Sequence, residues 1–144
     1  MRALPVRRLG ELIFSIQIGH GKLGMPMIIE AVGHFTFKSL HGVLVNIDGN
    51  SNRVSCIAQG PKKVIFIVGM NKVCSDLDSA MKRARNIAAP TNAQNFDVKT
   101  PCKTTGKCFD CKSPDTLCCQ FLITRYSRHV GRIHVILVND TLGY

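Results

Sequence analysis

The chain has 144 residues, 45% of them apolar, and a formal net charge of +10. That length serves one domain with its own core, and that apolar share excludes wholesale disorder. No apolar run approaches the roughly 20 residues that span a bilayer, so a membrane role is not expected.

At the start of the chain, Arg2, Arg7 and Arg8 resemble the basic opening of a secretory leader. Glu11, Ser15 and Gln17 interrupt the apolar stretch that follows, and no small-residue cleavage site is present. Residues 9–18 suit a short helix or a strand, and Gly19, Gly21, Gly24 and Pro26 then break any period. Residues 27–32 are a second apolar stretch of undecided type.

From Gly42 the pattern sharpens. Residues 43–47 read as a strand closed by the turn Asp48-Gly49-Asn50-Ser51. Residues 53–58 read as a second strand, which predicts a hairpin. The run 64–68 is apolar on both faces and rich in β-branched residues, as the interior strand of a mostly parallel sheet would be. Ser75 offers an N-cap, with Asp76 and Asp78 placed to suit the helix dipole. Leu77, Ala80, Met81, Ala84, Ile87 and Ala88 recur at helical spacing, and Pro90 is expected to stop that helix. Residues 121–126 and 132–138 read as two further strands around a polar turn.

Between them, residues 96–117 form a connection too long to be structureless without something to hold it. Five of the seven cysteines fall between Cys102 and Cys119. Clustered thiols in a chain with no convincing export signal favour a metal over a disulfide framework, and place the protein in the reducing cytoplasm. The candidate ligands are Cys102, Cys108, Cys111 and Cys118. The C-x-x-C pair can turn both sulfurs into one site, and Gly106 and Pro114 supply the bends that let Cys102 and Cys118 close it. Four thiolates suit zinc or an iron–sulfur cluster, and the spacing does not choose between them. Cys119 is the spare. Lys99, Lys103, Lys107 and Lys112 would offset the negative charge of such a site.

The remaining basic residues are scattered along the chain. With no Trp and two Tyr, a base-stacking platform is not evident. A solvated basic surface, or attraction to a small anionic metabolite, is therefore preferred to a nucleic-acid site. Asn71 and Lys72 directly follow the central strand, at the carboxyl edge where open α/β sheets bind ligands. Asn52 and Arg53 follow the Asp48 turn, where Arg53 could fork onto a carboxylate or pair with Asp48. His134 sits in a strand pattern and reads as packed or edge-exposed. No P-loop, G-x-G-x-x-G or H-E-x-x-H motif and no Ser-His-Asp order occurs, so no residue is singled out as a catalyst.

Several ordered motifs then carry a resemblance. They are Leu44-Val-Asn-Ile-Asp-Gly-Asn-Ser-Asn-Arg-Val54, Gly60-Pro-Lys-Lys-Val-Ile65, Gly69-Met-Asn-Lys72, Asp76-Leu-Asp78, Arg85-Asn-Ile-Ala-Ala-Pro90 and Asn92-Ala93. Thr100-Pro-Cys, Thr105-Gly-Lys-Cys, Asp110-Cys, Ser113-Pro-Asp, Arg132-Ile-His-Val-Ile-Leu-Val138 and Leu142-Gly143-Tyr144 follow in order. Together they resemble the lactate-utilization (LUD) domain family. The likeness implies an α/β fold, a mostly parallel sheet with flanking helices, similar to sugar-phosphate isomerases and CoA transferases. It also implies a part in oxidising lactate to pyruvate beside iron–sulfur partner proteins. The family has a longer N-terminal part and an acidic Thr-x-Asn-Ala-Ile-Thr-Glu-Asp-Gly pattern, where residues 34–42 here read His-Phe-Thr-Phe-Lys-Ser-Leu-His-Gly. The expected organisation is thus a divergent segment, 1–42, and the C-terminal portion of a LUD-like domain, 43–144, incomplete at its N-terminus, with a cysteine-rich loop at 99–119. The competing readings are a non-enzymatic zinc-stapled module that binds nucleic acid and a truncated, non-functional remnant.

Overall fold

The computed structural model describes residues 27–30, 35–38 and 42–144. The expectations for residues 9–18 and for the divergent stretch 31–34 and 39–41 lie outside the described residues. The architecture is α/β. It holds two sheets and a broken helix where sequence suggested one mostly parallel sheet.

The first sheet is parallel throughout. Its central strand, β4 (Val64–Gly69), pairs with β1 (Met27–Glu30) on one side and β7 (Ile133–Val138) on the other. Val64, Phe66 and Val68 are fully buried, and Ile65 and Ile67 on the other face are half-buried. The continuous apolar run is therefore the interior strand expected of it. The second sheet is mixed, in the order β5 (Val73–Cys74), β2 (Phe35–Lys38), β3 (Val43–Asp48), β6 (Gln120–Thr124). In it β3 runs antiparallel to both β2 and β6, and β2 runs parallel to β5.

β3 belongs to two cores, because alternate residues of a strand face opposite sides. Leu44 joins Ile57, Val64, Phe66 and Val68 between the sheets, with Leu122, Ile133 and Val135 against them. Val45 and Ile47 point the other way, onto Ala80 and Ala84, with Cys74, Leu77, Met81 and Cys118 alongside. The small alanines let the helix lie close on the strand.

Three local expectations are corrected. The second arm of the predicted hairpin is a helix, α1 (Asn52–Ala58). Val54 and Ile57 face inward three residues apart, a helical spacing hidden by the β-branched composition. Asp48 organises its start: Oδ2 accepts from the backbone N–H of Arg53 (2.9 Å) and Val54 (3.1 Å), and Oδ1 from that of Asn50 (3.1 Å). Arg132 closes the other end of α1 by donating to the carbonyls of Ile57, Cys56 and Pro61.

The N-cap of α2 (Leu77–Arg83) is Asp76, not Ser75. Its carboxylate accepts from Ser79 N–H at 2.7 Å, and the Ser75 hydroxyl donates to the same carboxylate. Nor does Pro90 end the helix. A widened π turn (Ala84–Ala88) carries it into α3 (Ala89–Ala93). Proline has no N–H and crowds the preceding turn. The shift to i→i−5 bonding, with Ala89 N–H reaching Ala84 O, changes the pattern just where Pro90 would have broken it.

Candidate metal centre

The segment between α3 and β6 holds the cysteines and only one short helix, α4 (Pro101–Thr105), which starts on a proline and ends on Gly106 at φ +70°. The left-handed backbone there is one that glycine adopts without penalty. In and around α4 the chain is fastened by bonds between side chain and backbone. Gln94 Nε2 donates to Lys103 O at 2.8 Å, Lys99 N–H donates to the Asp115 carboxylate at 2.9 Å, and Thr105 Oγ1 donates to Pro101 O at 2.8 Å.

This fastening brings Cys102, Cys108, Cys111 and Cys118 to one cavity of about 30 Å³, floored by Ala89 and Ala93 and rimmed by Phe109 and Phe121. It has the room of about one water molecule. Cys119 is exposed and does not line it. Burial pushes the Cys118 thiol up to about 12, and the neighbouring Cys108, Cys102 and Cys111 add to that, while Arg85 pulls it down. A metal bound there would take the Cys118 sulfur as thiolate, against the push of burial.

Among the described residues, no three His, Cys, Asp or Glu side chains stand in ready-made ligating geometry. Cys102 Sγ lies 3.3 Å from Thr100 Oγ1, and the Cys111 thiol is directed to Thr116 Oγ1 at 3.9 Å. Cys108 Sγ accepts from Arg85 Nη2 at 3.6 Å and from Asp110 N–H at 3.5 Å. Three of the four sulfurs thus have a polar partner of their own. The donor set fits a soft metal in kind.

Sequence did not single out Arg85, Thr100 or Thr116. Arg85 reaches across from the π turn to line the cavity and to pair with Asp110 at 2.5 Å. No spacing rule links Arg85 to a cysteine 23 positions later. The single available signal was a residue of the helix's outer face directed toward a thiol-rich segment.

The other four candidate residues sit at the carboxyl edge of the first sheet, or next to it. Asn71 belongs to the 3-10 turn (Met70–Lys72) directly after β4. Its Nδ2 donates to Gly143 O at 3.2 Å and its Oδ1 accepts from Leu142 N–H at 3.3 Å, so its amide holds the chain's last residues. Gly69 makes that crossing possible, since a Cβ there would meet Leu142 N at 2.5 Å and Asp140 O at 2.7 Å. Lys72 is fully buried and engaged within the protein, beneath the edge rather than on it. Asn52 is exposed at the start of α1. Arg53 donates from Nη2 to Ile47 O at 3.1 Å and lies 3.7 Å from the Asp48 carboxylate, the structural alternative foreseen for it. Tyr144 completes this edge, its hydroxyl donating to Asn92 Oδ1 at 2.6 Å and accepting from Asn95 Nδ2 at 2.8 Å. Arg53 is close enough to Tyr144 to favour its ionised form, against a larger upward push from burial. His134 is exposed, with a ring nitrogen 2.7 Å from Gly131 O.

Among the described residues no helix is long and apolar enough to cross a membrane. A family model described as the LUD domain matches residues 39–138. No curated protein and no solved structure matches the chain.

Proposed function

The chain belongs to the LUD domain family, and from that premise we propose that it is a cytoplasmic metal-thiolate protein that also takes a small anionic metabolite at its sheet edge. Cys102, Cys108, Cys111 and Cys118 would hold the metal. Bound there, zinc would supply a structural staple, and an iron–sulfur cluster would supply one-electron transfer. The observation that carries this reading is the arrival of all four sequence-predicted thiols at one cavity, with a guanidinium against one sulfur.

The anionic metabolite is the family-level part of the reading. Asn52, Arg53, Asn71 and Lys72 are the residues proposed to take it, Asn52 and Arg53 from the start of α1 and Asn71 and Lys72 from the turn after β4. The same family resemblance motivates a part in oxidising lactate to pyruvate beside iron–sulfur partner proteins. It also motivates kinship with the sugar-phosphate isomerase and CoA transferase fold, to which the all-parallel β1-β4-β7 sheet is suited.

The test is metal and sulfide analysis with a visible spectrum of anaerobically purified protein, wild type beside Cys108→Ser. Iron with sulfide, lost in the variant, supports the redox form. Zinc lost in the variant supports the staple. Wild-type protein that carries neither metal and takes up neither on reconstitution sinks the reading.

A further inference from the structure

We propose that Arg85 is the positioning residue of the cysteine site, holding the turn between Cys108 and Cys111 in the shape a metal needs. This rests on the metal-thiolate reading above and adds to it a residue that no cysteine spacing indicates.

One guanidinium nitrogen of Arg85, Nη2, makes two contacts, to Cys108 Sγ at 3.6 Å and to the Asp110 carboxylate at 2.5 Å. Asp110 is the last residue between the two cysteines of the C-x-x-C pair, and its backbone is left-handed, at φ +52°. Most side chains resist that conformation, although aspartate tolerates it better than most. The conformation has a use here: the Asp110 N–H lies on Cys108 Sγ at 3.5 Å, and the left-handed φ sets the direction in which the chain continues to Cys111. The Cys108 sulfur thus receives one backbone and one guanidinium hydrogen bond, and the two together fix its position relative to the turn. The carboxylate that anchors Arg85 belongs to the same residue that carries the strained backbone. Sulfur, carboxylate and turn are therefore set by a single side chain.

The placement of Arg85 is itself unusual. It stands in the π turn Ala84–Ala88, whose flanking residues Ala84 and Ala88 are fully buried. A π turn is an irregularity that tends to mark functional positions in helices. A rigid helix thereby delivers a planar cation to a loop with little packing of its own. Lysine would bring the charge without the fixed, planar donor directions of a guanidinium.

The experiment titrates the full-length reduced protein with Co(II), reading the sulfur-to-cobalt absorption band and the affinity by chelator competition. The proteins are wild type, Arg85→Gln, Arg85→Lys, and Arg85→Gln combined with Asp110→Gly. Arg85→Gln should bind about 10- to 100-fold more weakly, the usual effect of removing a residue that orients a metal ligand. Arg85→Lys should recover only part of that loss. Glycine at 110 adopts the left-handed turn without help, so the double variant should bind more tightly than Arg85→Gln alone. Equal affinity and spectrum in Arg85→Gln and wild type would overturn the proposal and leave the cysteine site standing. Full affinity in Arg85→Lys would also overturn it, since charge alone would suffice. If Arg85→Gln fails to fold, the comparison of Arg85→Lys with wild type decides alone. Wild-type protein that binds no cobalt would refute the metal-thiolate reading, and this inference with it.

Discussion

The stacked sheets and the cysteine segment are built on opposite plans. In the sheets, Val45, Val64, Phe66 and Val68 are wholly removed from water, and β3 carries side chains into two cores at once. Within residues 96–119 only Thr100 is buried, and Phe96 and Phe109 remain 48% and 60% exposed. The first region is held by apolar area, which needs no partner outside the chain. The second is held by single hydrogen bonds from side chain to backbone, each contributing about 0.5–1.5 kcal/mol. The contrast implies that the sheets fold on their own account while the cysteine segment awaits a ligand to fix it.

The largest effect that would test this lies in the sheets. Phe66→Ala removes a fully buried aromatic from the core between the sheets, and should cost about 3–5 kcal/mol in denaturant unfolding. A loss under about 1 kcal/mol would mean that the sheets pack far more loosely than the burial of β4 implies. Next comes Asp48→Ala, which strips three backbone N–H groups of their buried acceptor. It should cost about 2–3 kcal/mol and loosen α1, with Asp48→Asn intermediate because one amide oxygen remains. Amide exchange at Val54 would report the loosening directly. An Asp48→Ala protein as stable as wild type would show that α1 is held by Val54 and Ile57 alone.

The comparison sharpens when the metal is removed. A chelator applied to the loaded protein should raise exchange most across residues 99–119, the segment that supplies the ligands. The unfolding midpoint should fall as well, because a metal that binds only the folded chain stabilises all of it. Equal exchange across the segment in both states would mean that the hydrogen bonds suffice and that the two regions do not differ as argued.

Much of the sheet stack was legible because its signals are local. The run at β4 is apolar on both faces, and only an interior strand tolerates that. The apolar spacing from Leu77 to Ala88 likewise points to one helix face. The helix at 52–58 was not legible, since its cap is Asp48, four positions before its first residue, and its two inward residues are a Val and an Ile that equally suit a strand. Passage of the helix through Pro90 was hidden for another reason. A π turn leaves no mark in composition. In the cysteine segment the four thiols could be named from their clustering, while Arg85 could not, because its contact is made by the tertiary fold alone.

Where the two regions meet, the smallest predicted effect is also the most discriminating. Tyr144 reaches from the edge of the parallel sheet to Asn92 in α3 and Asn95 beyond it, just ahead of the cysteine segment. Tyr144→Phe keeps the ring and deletes both hydrogen bonds at a half-buried position, so it should cost about 1 kcal/mol. The phenol also gives the tie a pH signature. Burial raises the Tyr144 pKa above its ordinary value of 10.0, with its bond to Asn95 and the charge of Arg53 opposing. A group raised on folding binds its proton more tightly when folded, so its contribution is complete below the unfolded value and is lost as pH climbs through the folded one. Wild-type stability should therefore fall more steeply than that of Tyr144→Phe above about pH 10, in parallel thermal melts. Identical slopes would mean that the tail makes no lasting contact with α3, and that the sheet edge and the cysteine segment are coupled through the helix alone.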